Sequence, residues 1–448
     1  MQRRCTRLGS TAAALAVTAL LAGGCRDGNG SASADKPQTI AQPVIEGVDV
    51  APDSDRVDLD LPTFSDPTNV TNPLFPVSKQ KSVLLLGHVD GKPFRTEVTL
   101  LPETRIIEWQ GRRVETLVSQ YVAYLDGRIE EVTYDYYAQD DAGAVWYFGE
   151  DVVDFRGGVI FTSQGTWTAG KDGPAAMIMS AHPKVGDVWR TENIPGLAFE
   201  EITVKAVDQT LDGPLGPVEG GLVVEELHAD NTTEDKTFAP GYGEFLTTAG
   251  GNVEALAVAV PTDALSGPAP AGLVTLERGA RNVFDAAGIG DWQAAQATVR
   301  RMAAGWKTAG VELPDRLGPQ LNEALGALAA GVGGRNAHQT REAAIDVARW
   351  SLDLQLRHRP VAAIDLARFD LWAAQLLVDA AAGDAPAVNG DVFTLDYIRD
   401  RIQHTLKDAD RTRVNTELDE LATAVADEDL AATTDAARRL RMTVAELS

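Results

Sequence analysis

The sequence predicts a multidomain α+β protein, with an N-terminal antiparallel β-domain followed by an all-α helical bundle. Between residues 69 and 276, short runs of alternating apolar and polar residues are separated by turn sequences such as Asp90-Gly91. After about residue 281 the apolar period changes from two residues to about 3.6, the period of an α-helix. A chain of 448 residues is too long for one ordinary core, so we expect separate domains.

The N-terminus has the pattern of a bacterial export signal over residues 1–24. Arg3, Arg4 and Arg7 precede an apolar run that ends at Leu21 and is too short to cross a bilayer as a helix. Small residues then lead to Cys25. The pattern resembles a bacterial lipoprotein signal peptide, which implies cleavage before Cys25 and acylation of its thiol and new amino group. An ordinary signal peptide that happens to precede a cysteine is the alternative.

Residues 25–66 are predicted to form a flexible tether between this lipid anchor and the folded body. The segment begins with a Gly- and Ser-rich run and continues with Pro and Asp, without sustained periodicity. Val57, Leu59 and Leu61 alternate with aspartates, and an edge strand there would tie the segment down.

We assign residues 67–260 to the β-domain. Because no helix of ordinary length interrupts the alternating runs, the strands should pair antiparallel, either as a barrel or as a curved open sheet. An even-length turn within the hairpin of residues 134–151 would place Tyr137, Trp146 and Phe148 on one face. That face is either core or a wet aromatic surface that stacks on a sugar or an apolar ligand.

Several motifs resemble a family of uncharacterised secreted bacterial proteins and lipoproteins. They include Asn-Pro-Leu-Phe-Pro at 72–76, Trp-Tyr-Phe-Gly-Glu-Asp at 146–151 and Phe-Ala-Pro-Gly-Tyr-Gly at 238–243. The resemblance covers about residues 69–250 and implies a secreted β-domain without implying an activity. Relatives often carry a calcium-type Asp-x-Asp-Gly turn, whereas this chain has Asp-Asp-Ala-Gly at 140–143 and lacks that carboxylate spacing.

Residues 261–280 are predicted to be a linker and residues 281–448 the helical bundle. Asp291 is a suitable N-cap for a helix with apolar residues at helical spacing, and Pro314 opens the next helix. Further helices are expected over about 336–357, 361–382, 391–406, 411–426 and 430–446. Their short connections favour antiparallel neighbours, so the first four or five helices should form the bundle.

Four aspartates in this bundle are candidate metal ligands. Asp365 and Asp379 lie seven residues apart between two apolar stripes of one helix, and Asp346 and Asp353 have the same spacing on the preceding helix. Buried carboxylates need partners, and structural pairing with an arginine such as Arg368 is the favoured interpretation. A divalent metal held by these aspartates is the alternative, and no other cofactor is predicted.

The composition excludes some functions and favours others. A net charge of −25 argues against nucleic acid as a partner, because phosphate binding needs a basic surface. The chain contains no nucleophile elbow, zinc-protease motif or phosphate-binding loop, so catalysis is the less favoured interpretation.

The sequence therefore predicts a lipoprotein anchored to the membrane of the bacterial cell envelope through its lipid. We expect it to act as a non-catalytic binding or scaffold protein with an envelope protein as partner. The first alternative is a periplasmic metal- or small-ligand-binding protein that uses the bundle carboxylates. The second is an envelope hydrolase that acts at the aromatic face.

Overall fold

The computed structural model describes residues 40, 47–307 and 309–447. An antiparallel sheet is followed by α-helices, which confirms the predicted fold class. The predicted signal peptide, Cys25 and most of the predicted tether lie outside the described residues. Within the described parts, no helix has the length and apolar character that a membrane span requires.

Fourteen strands form the sheet within the described residues. In chain order they are β1 (Ser82–Val89), β2 (Lys92–Trp109), β3 (Arg112–Leu125), β4 (Arg128–Gln139), β5 (Val145–Arg156), β6 (Val159–Thr162), β7 (Trp167–Thr168), β8 (Ala176–Met179), β9 (Val188–Ile194), β10 (Ala198–Gly213), β11 (Gly216–His228), β12 (Thr233–Ala239), β13 (Gly243–Ala249) and β14 (Asn252–Val260).

The sheet is open and not a closed barrel. Its hydrogen-bonded order is β6-β5-β4-β3-β2-β1-β14-β13-β12-β11-β10-β9, and β7 and β8 pair with β5. Most neighbouring strands in this order are consecutive in the chain and form hairpins. The pairing of β1 with β14 joins the first and last strands of the β-domain. The first and last strands of the β-domain therefore lie at the centre of the sheet.

The register of the β4–β5 hairpin differs from the predicted one by a single residue. Residues 140–144 form a five-residue loop, so Tyr137 lies opposite Tyr147 and not opposite Trp146. Because side chains alternate between faces, this shift puts Trp146 and Phe148 on the face opposite to Tyr137. The prediction that these three aromatic residues share a face is wrong.

A β-bulge in β5, at Phe148 and Gly149, changes the alternation of side chains again. Phe148 and Gly149 together lie opposite Tyr136, so β5 has one extra residue at this point. Gly149 has φ 123°, and a Cβ atom there would lie 2.2 Å from the carbonyl oxygen of Trp167. The bulge therefore requires glycine, and it returns Glu150 to the face that holds Tyr137.

The two faces of the sheet have different surroundings. We call one the carboxylate face, because it holds the buried acids Asp135, Glu192, Glu226 and Glu254 and the half-buried Glu150. We call the other the helix face. It holds Glu97, Gln120, Tyr124 and Tyr134, whose side chains contact residues of the helices.

Part of the predicted tether is packed against the sheet. Arg56 is buried and donates to both oxygens of Asp58, and Asp58 accepts a hydrogen bond from the backbone of β9. The backbone N–H of Val57 donates to the carbonyl of Val188 over 2.9 Å. The prediction of a flexible tether is therefore wrong for residues 47–66, where a buried ion pair and backbone pairing hold the chain.

Eight α-helices follow the sheet in the described residues. They are α1 (Ala271–Gly288), α2 (Trp292–Lys307), α3 (Leu317–Gly334), α4 (Ala337–Gln355), α5 (Val361–Ala382), α6 (Ala385–Ile402), α7 (Asp408–Ala426) and α8 (Leu430–Leu447). Helix α1 occupies residues that were predicted to be linker, so the helical region begins at Ala271 and not at 281. The buried side chains of Leu273 and Leu276 explain this earlier start, because they belong to an apolar cluster that the sheet and the helices share.

The helices cover the helix face and share their cores with it. Leu84 and Val258 of the sheet pack in one apolar cluster with α1, α4 and α5. Val122, Ile129 and Val132 pack in another cluster with α5, α6, α7 and α8. The sheet and the helices are therefore joined by continuous apolar packing.

Candidate functional site

Two of the four candidate metal-binding aspartates lie in a buried ion network. Asp353 accepts hydrogen bonds from Arg95 over 2.7 Å and from Arg368 over 2.8 Å. Asp365 accepts from Arg368 over 3.0 Å. Burial raises the pKa of Asp353, but the two guanidinium groups outweigh this effect and the net pKa lies below its usual value. A metal ion would have to displace these arginines, so the two aspartates have a structural role.

The other two aspartates line a cleft on the far side of α5. Asp346 is paired with Arg349 over 2.8 Å. Asp379 accepts a hydrogen bond from Gln375 over 3.2 Å and forms no ion pair with any described residue. The structure therefore separates the predicted set, and of the four only Asp379 presents an uncompensated carboxylate to the cleft.

The cleft lies between the helix face and the helices and has a volume of about 780 Å³. Strands β1 to β4 form one wall, and α3, α4, α5 and α6 form the other. Its polar and aromatic lining includes Tyr124, Arg128, Glu342, Arg349, Trp350, Trp372, Gln375, Asp379 and Asp391. Its volume lies within the range of about 300 to 1,000 Å³ that is usual for small-molecule sites.

Three carboxylates line the cleft, each from a different helix. Glu342 comes from α4, Asp379 from α5 and Asp391 from α6. Gln375 bridges the first two, since its amide donates to Glu342 over 3.2 Å and to Asp379 over 3.2 Å. Burial and the neighbouring Asp379 carboxylate raise the pKa of Asp391 well above its ordinary value.

Two polar atoms beside the cleft are buried out of reach of solvent. They are Oδ2 of Asp391, whose residue is 4% exposed, and the hydroxyl oxygen of Tyr124, whose residue is 2% exposed. The Asp391 carboxyl forms a hydrogen bond with Asp379. A ligand in the cleft would therefore meet the partly exposed Glu342 and Asp379 rather than these two atoms.

Two tryptophans give the cleft flat apolar surfaces. The Trp372 ring stacks on Tyr124 with 5.2 Å between ring centroids and 18° between the ring planes. The guanidinium carbon of Arg349 lies 5.6 Å from the centroid of Trp372, and that of Arg95 lies 5.6 Å from the centroid of Trp350. Each tryptophan ring therefore already has an arginine guanidinium over it, an arrangement that the quadrupole of an aromatic ring favours.

The predicted aromatic ligand surface is buried. Phe148 packs edge-on against Trp109, and the indole N–H of Trp146 donates to Asp140 over 2.9 Å. Tyr137 stacks on Tyr147 and lines a cavity of about 110 Å³ on the carboxylate face. The structure therefore places none of the three predicted aromatic residues on a wet surface.

A second cluster of metal-binding residue types lies on the carboxylate face. Glu226, His228 and Glu234 bring one ligand atom each to within 4.8 Å of one another. The ammonium group of Lys236 contacts Glu226 and lies 3.0 Å from Glu234, so a cation of the chain already compensates these carboxylates. Burial lowers the pKa of His228, but the hydrogen bond to Glu234 and the surrounding glutamates outweigh it and raise the pKa to about 9.

The sequence pointed to Asp346 and Asp379, which line the cleft, but not to Asp391 or Tyr124. Asp391 is a single acidic residue on a helix, and Tyr124 is one of many aromatic residues in strands. The available signal was an acidic residue on each of three consecutive helices, which becomes meaningful only when the helix packing is known.

No protein-family model matches this chain, and no curated protein matches it. The geometry of the cleft is therefore the basis for the function proposed next.

Proposed function

We propose that this chain is a lipid-anchored binding protein of the bacterial cell envelope and that the cleft between sheet and helices binds its small-molecule ligand. The observation that carries the proposal is a cleft of about 780 Å³ lined by Glu342 and Asp379, which are partly exposed and form no ion pair with any described residue.

The surroundings of the cleft also support binding. Aromatic walls with a few convergent polar groups are the usual composition of a small-molecule site. The signal-like N-terminus and Cys25 support the envelope location. The hydrolase alternative loses its proposed location, because Trp146 and Phe148 are buried on the face opposite to Tyr137.

The ligand site can be tested by thermal melting of the full chain with a panel of small polar metabolites, followed by calorimetric titration. A ligand at 100 times its Kd should stabilise the native state by about 2.7 kcal/mol. Glu342→Gln and Asp379→Asn should both weaken binding, because both carboxylates line the cleft and are partly exposed. Glu108→Gln, an exposed glutamate on β2 outside the cleft, should leave binding unchanged. A panel without any stabilising compound, or binding that ignores both variants, would refute the cleft as the site.

The anchor can be tested with the full chain expressed in a bacterial host that is fed labelled palmitate. We expect the wild type to incorporate label and to sediment with membranes. Cys25→Ser should lose both properties, because a protein without acyl chains has no stable anchor. Membrane association that survives this substitution would contradict lipid anchoring at Cys25.

A further inference from the structure

We infer that the cavity on the carboxylate face of the sheet binds a compact uncharged molecule, in which a small apolar ring carries a hydroxyl or carbonyl group. This cavity has a volume of about 110 Å³ and lies on the opposite side of the sheet from the cleft. The inference goes beyond the proposed function, because it concerns a separate site and does not depend on a ligand in the cleft.

The walls of the cavity are mainly apolar. Val83 and Leu85 of β1 line it together with Val98 and Leu100 of β2, and Val83 lies opposite Val98 in the ladder. Because opposite residues share a face and side chains alternate along a strand, these four side chains point to the same side of the sheet. Further aromatic lining comes from Phe75, Tyr121, Tyr137 and Tyr242. These walls can remove the apolar part of a ligand from water.

The size of the cavity suits a molecule with a single six-membered ring. An engineered apolar cavity of about 150 Å³ in another protein stays free of water and binds benzene. One buried water needs only about 10 to 15 Å³ and two to four polar partners. A space of about 110 Å³ with mostly apolar walls therefore fits a small organic ring better than a cluster of waters.

Ser119 supplies a polar group without a partner in this cavity. The residue is 4% exposed and lines the cavity, and its hydroxyl forms no hydrogen bond with any described residue. Buried polar groups of native proteins are rarely left unpaired. A hydroxyl can both donate and accept, so a hydroxyl or carbonyl oxygen of a ligand would complete Ser119.

Asp135 lies beside Ser119 and forms the polar end of the cavity with it. The two residues are directly opposite each other on β4 and β3. Oδ1 of Asp135 accepts a hydrogen bond from the hydroxyl of Tyr147 over 2.7 Å, which fixes the carboxyl group. Burial raises the pKa of Asp135 to about 7, and a protonated carboxyl can donate one hydrogen bond. Ser119 and Asp135 can therefore bind the same ligand oxygen.

The charges around the cavity favour an uncharged ligand. The carboxyl groups of Asp135, Glu244 and Glu254 line it, and the described residues that line it include no arginine or lysine. An anion would be repelled and would lack a counter-ion. Burial and the neighbouring Glu244 raise the pKa of Glu254 to about 8, so at pH 6 both Glu254 and Asp135 are neutral. Glu244 already accepts a hydrogen bond from the hydroxyl of Thr247 over 2.5 Å.

The test is calorimetric titration of the full chain at pH 6 with four probes of similar size, benzyl alcohol, toluene, benzylamine and benzoate. We expect benzyl alcohol to bind at least threefold more tightly than toluene, benzylamine to bind more weakly than benzyl alcohol, and benzoate not to bind measurably. Ser119→Ala should reduce the affinity for benzyl alcohol to that for toluene. Ser351→Ala removes another buried serine, on α4 and outside the cavity, and should leave the affinities unchanged.

Val98→Phe is a second variant, which places a ring inside the cavity and should abolish the binding of benzyl alcohol. The melting transition of each variant without ligand shows that it is folded. Equal affinities of the wild type for benzyl alcohol and toluene, or tightest binding of benzylamine, would overturn the inference. So would a lack of binding by benzyl alcohol, or binding that survives Val98→Phe. Glu342→Gln changes the cleft and should not affect benzyl alcohol, so this test and that of the proposed function fail independently.

Discussion

Several buried acids on the carboxylate face keep their proton to unusually high pH. Burial raises the pKa of Asp135 to about 7. Burial and neighbouring glutamates raise the pKa of Glu226 to about 8 and that of Glu254 to about 8. The cause is common to all three, because a charged carboxylate loses its hydration inside the curved sheet. Folding therefore favours the protonated forms of these three acids.

These shifts predict that stability falls as pH rises. A carboxyl group whose pKa is raised by folding contributes stability below its unfolded pKa of about 4.5 and loses it as pH rises through about 8. Between pH 5 and pH 9 the free energy of unfolding, measured with urea, should fall. In Glu254→Gln that fall should be smaller by about 3 kcal/mol, since the amide stays neutral.

The control for this prediction is Glu108→Gln, which changes an exposed glutamate on β2. Its unfolding free energy should follow the wild-type pH profile. Parallel profiles for Glu254→Gln and the wild type would show that Glu254 is ionised in the folded protein at neutral pH and would contradict the prediction.

At the scale of single elements, a contact between two glycines seats α6 against the sheet. Gly158, in the turn between β5 and β6, has φ 87°, and a Cβ atom there would lie 2.0 Å from the carbonyl oxygen of Pro386. A Cβ atom at Gly390 would lie 2.9 Å from the Cα atom of Gly158. Helix α6 carries Asp391, so this close approach also positions one wall of the cleft.

Gly158→Ala should therefore destabilise the protein by about 2 to 3 kcal/mol, because it adds both backbone strain and a steric clash. The free energy of unfolding can be measured by urea denaturation. Gly157→Ala is the matched control, since Gly157 has φ 61° but open space around its Cβ position. It should cost only about 1 kcal/mol from the left-handed conformation. Equal effects of the two substitutions would exclude the contact with α6 as the cause.

The element scale also shows what the sequence predicts well. Alternation and turn sequences identify most strands, and the 3.6-residue period identifies most helices, because these signals are local. The β4–β5 register was off by one residue because the loop has five residues, and the signal for the bulge was a single residue, Gly149. The start of helix α1 lies ten residues before the predicted one because Leu273 and Leu276 become buried only in the core that the sheet and the helices share.

At the scale of the whole molecule, the contacts between sheet and helices join residues far apart in the chain. Arg95 on β2 donates to Asp353 on α4, 258 positions away. The sequence indicated that buried aspartates need arginine partners, and Arg368 lies on the same helix as Asp365. It could not indicate Arg95 or Glu97, because nothing local places these strand residues against α4 and α6. The cleft could not be predicted either, because strands and helices far apart in the chain form its walls.

The shared cores and this ion network predict that sheet and helices unfold in one cooperative transition. Arg401 of α6 is fully buried and donates to Glu97 of β2 over 2.6 Å and to Gln120 of β3. Arg401→Met leaves Glu97 with fewer cations in a buried site and should lower the free energy of unfolding by about 3 kcal/mol.

Scanning calorimetry should show a single transition in the wild type and in the variant, with equal calorimetric and van't Hoff enthalpies. Arg439→Met removes one partner of the exposed pair with Glu420 and should change stability very little. Two separate transitions, with Arg401→Met shifting only one of them, would mean that the sheet and the helices fold independently. In that case the cleft between them would also vary in width, and ligand binding would raise the midpoints of both transitions together.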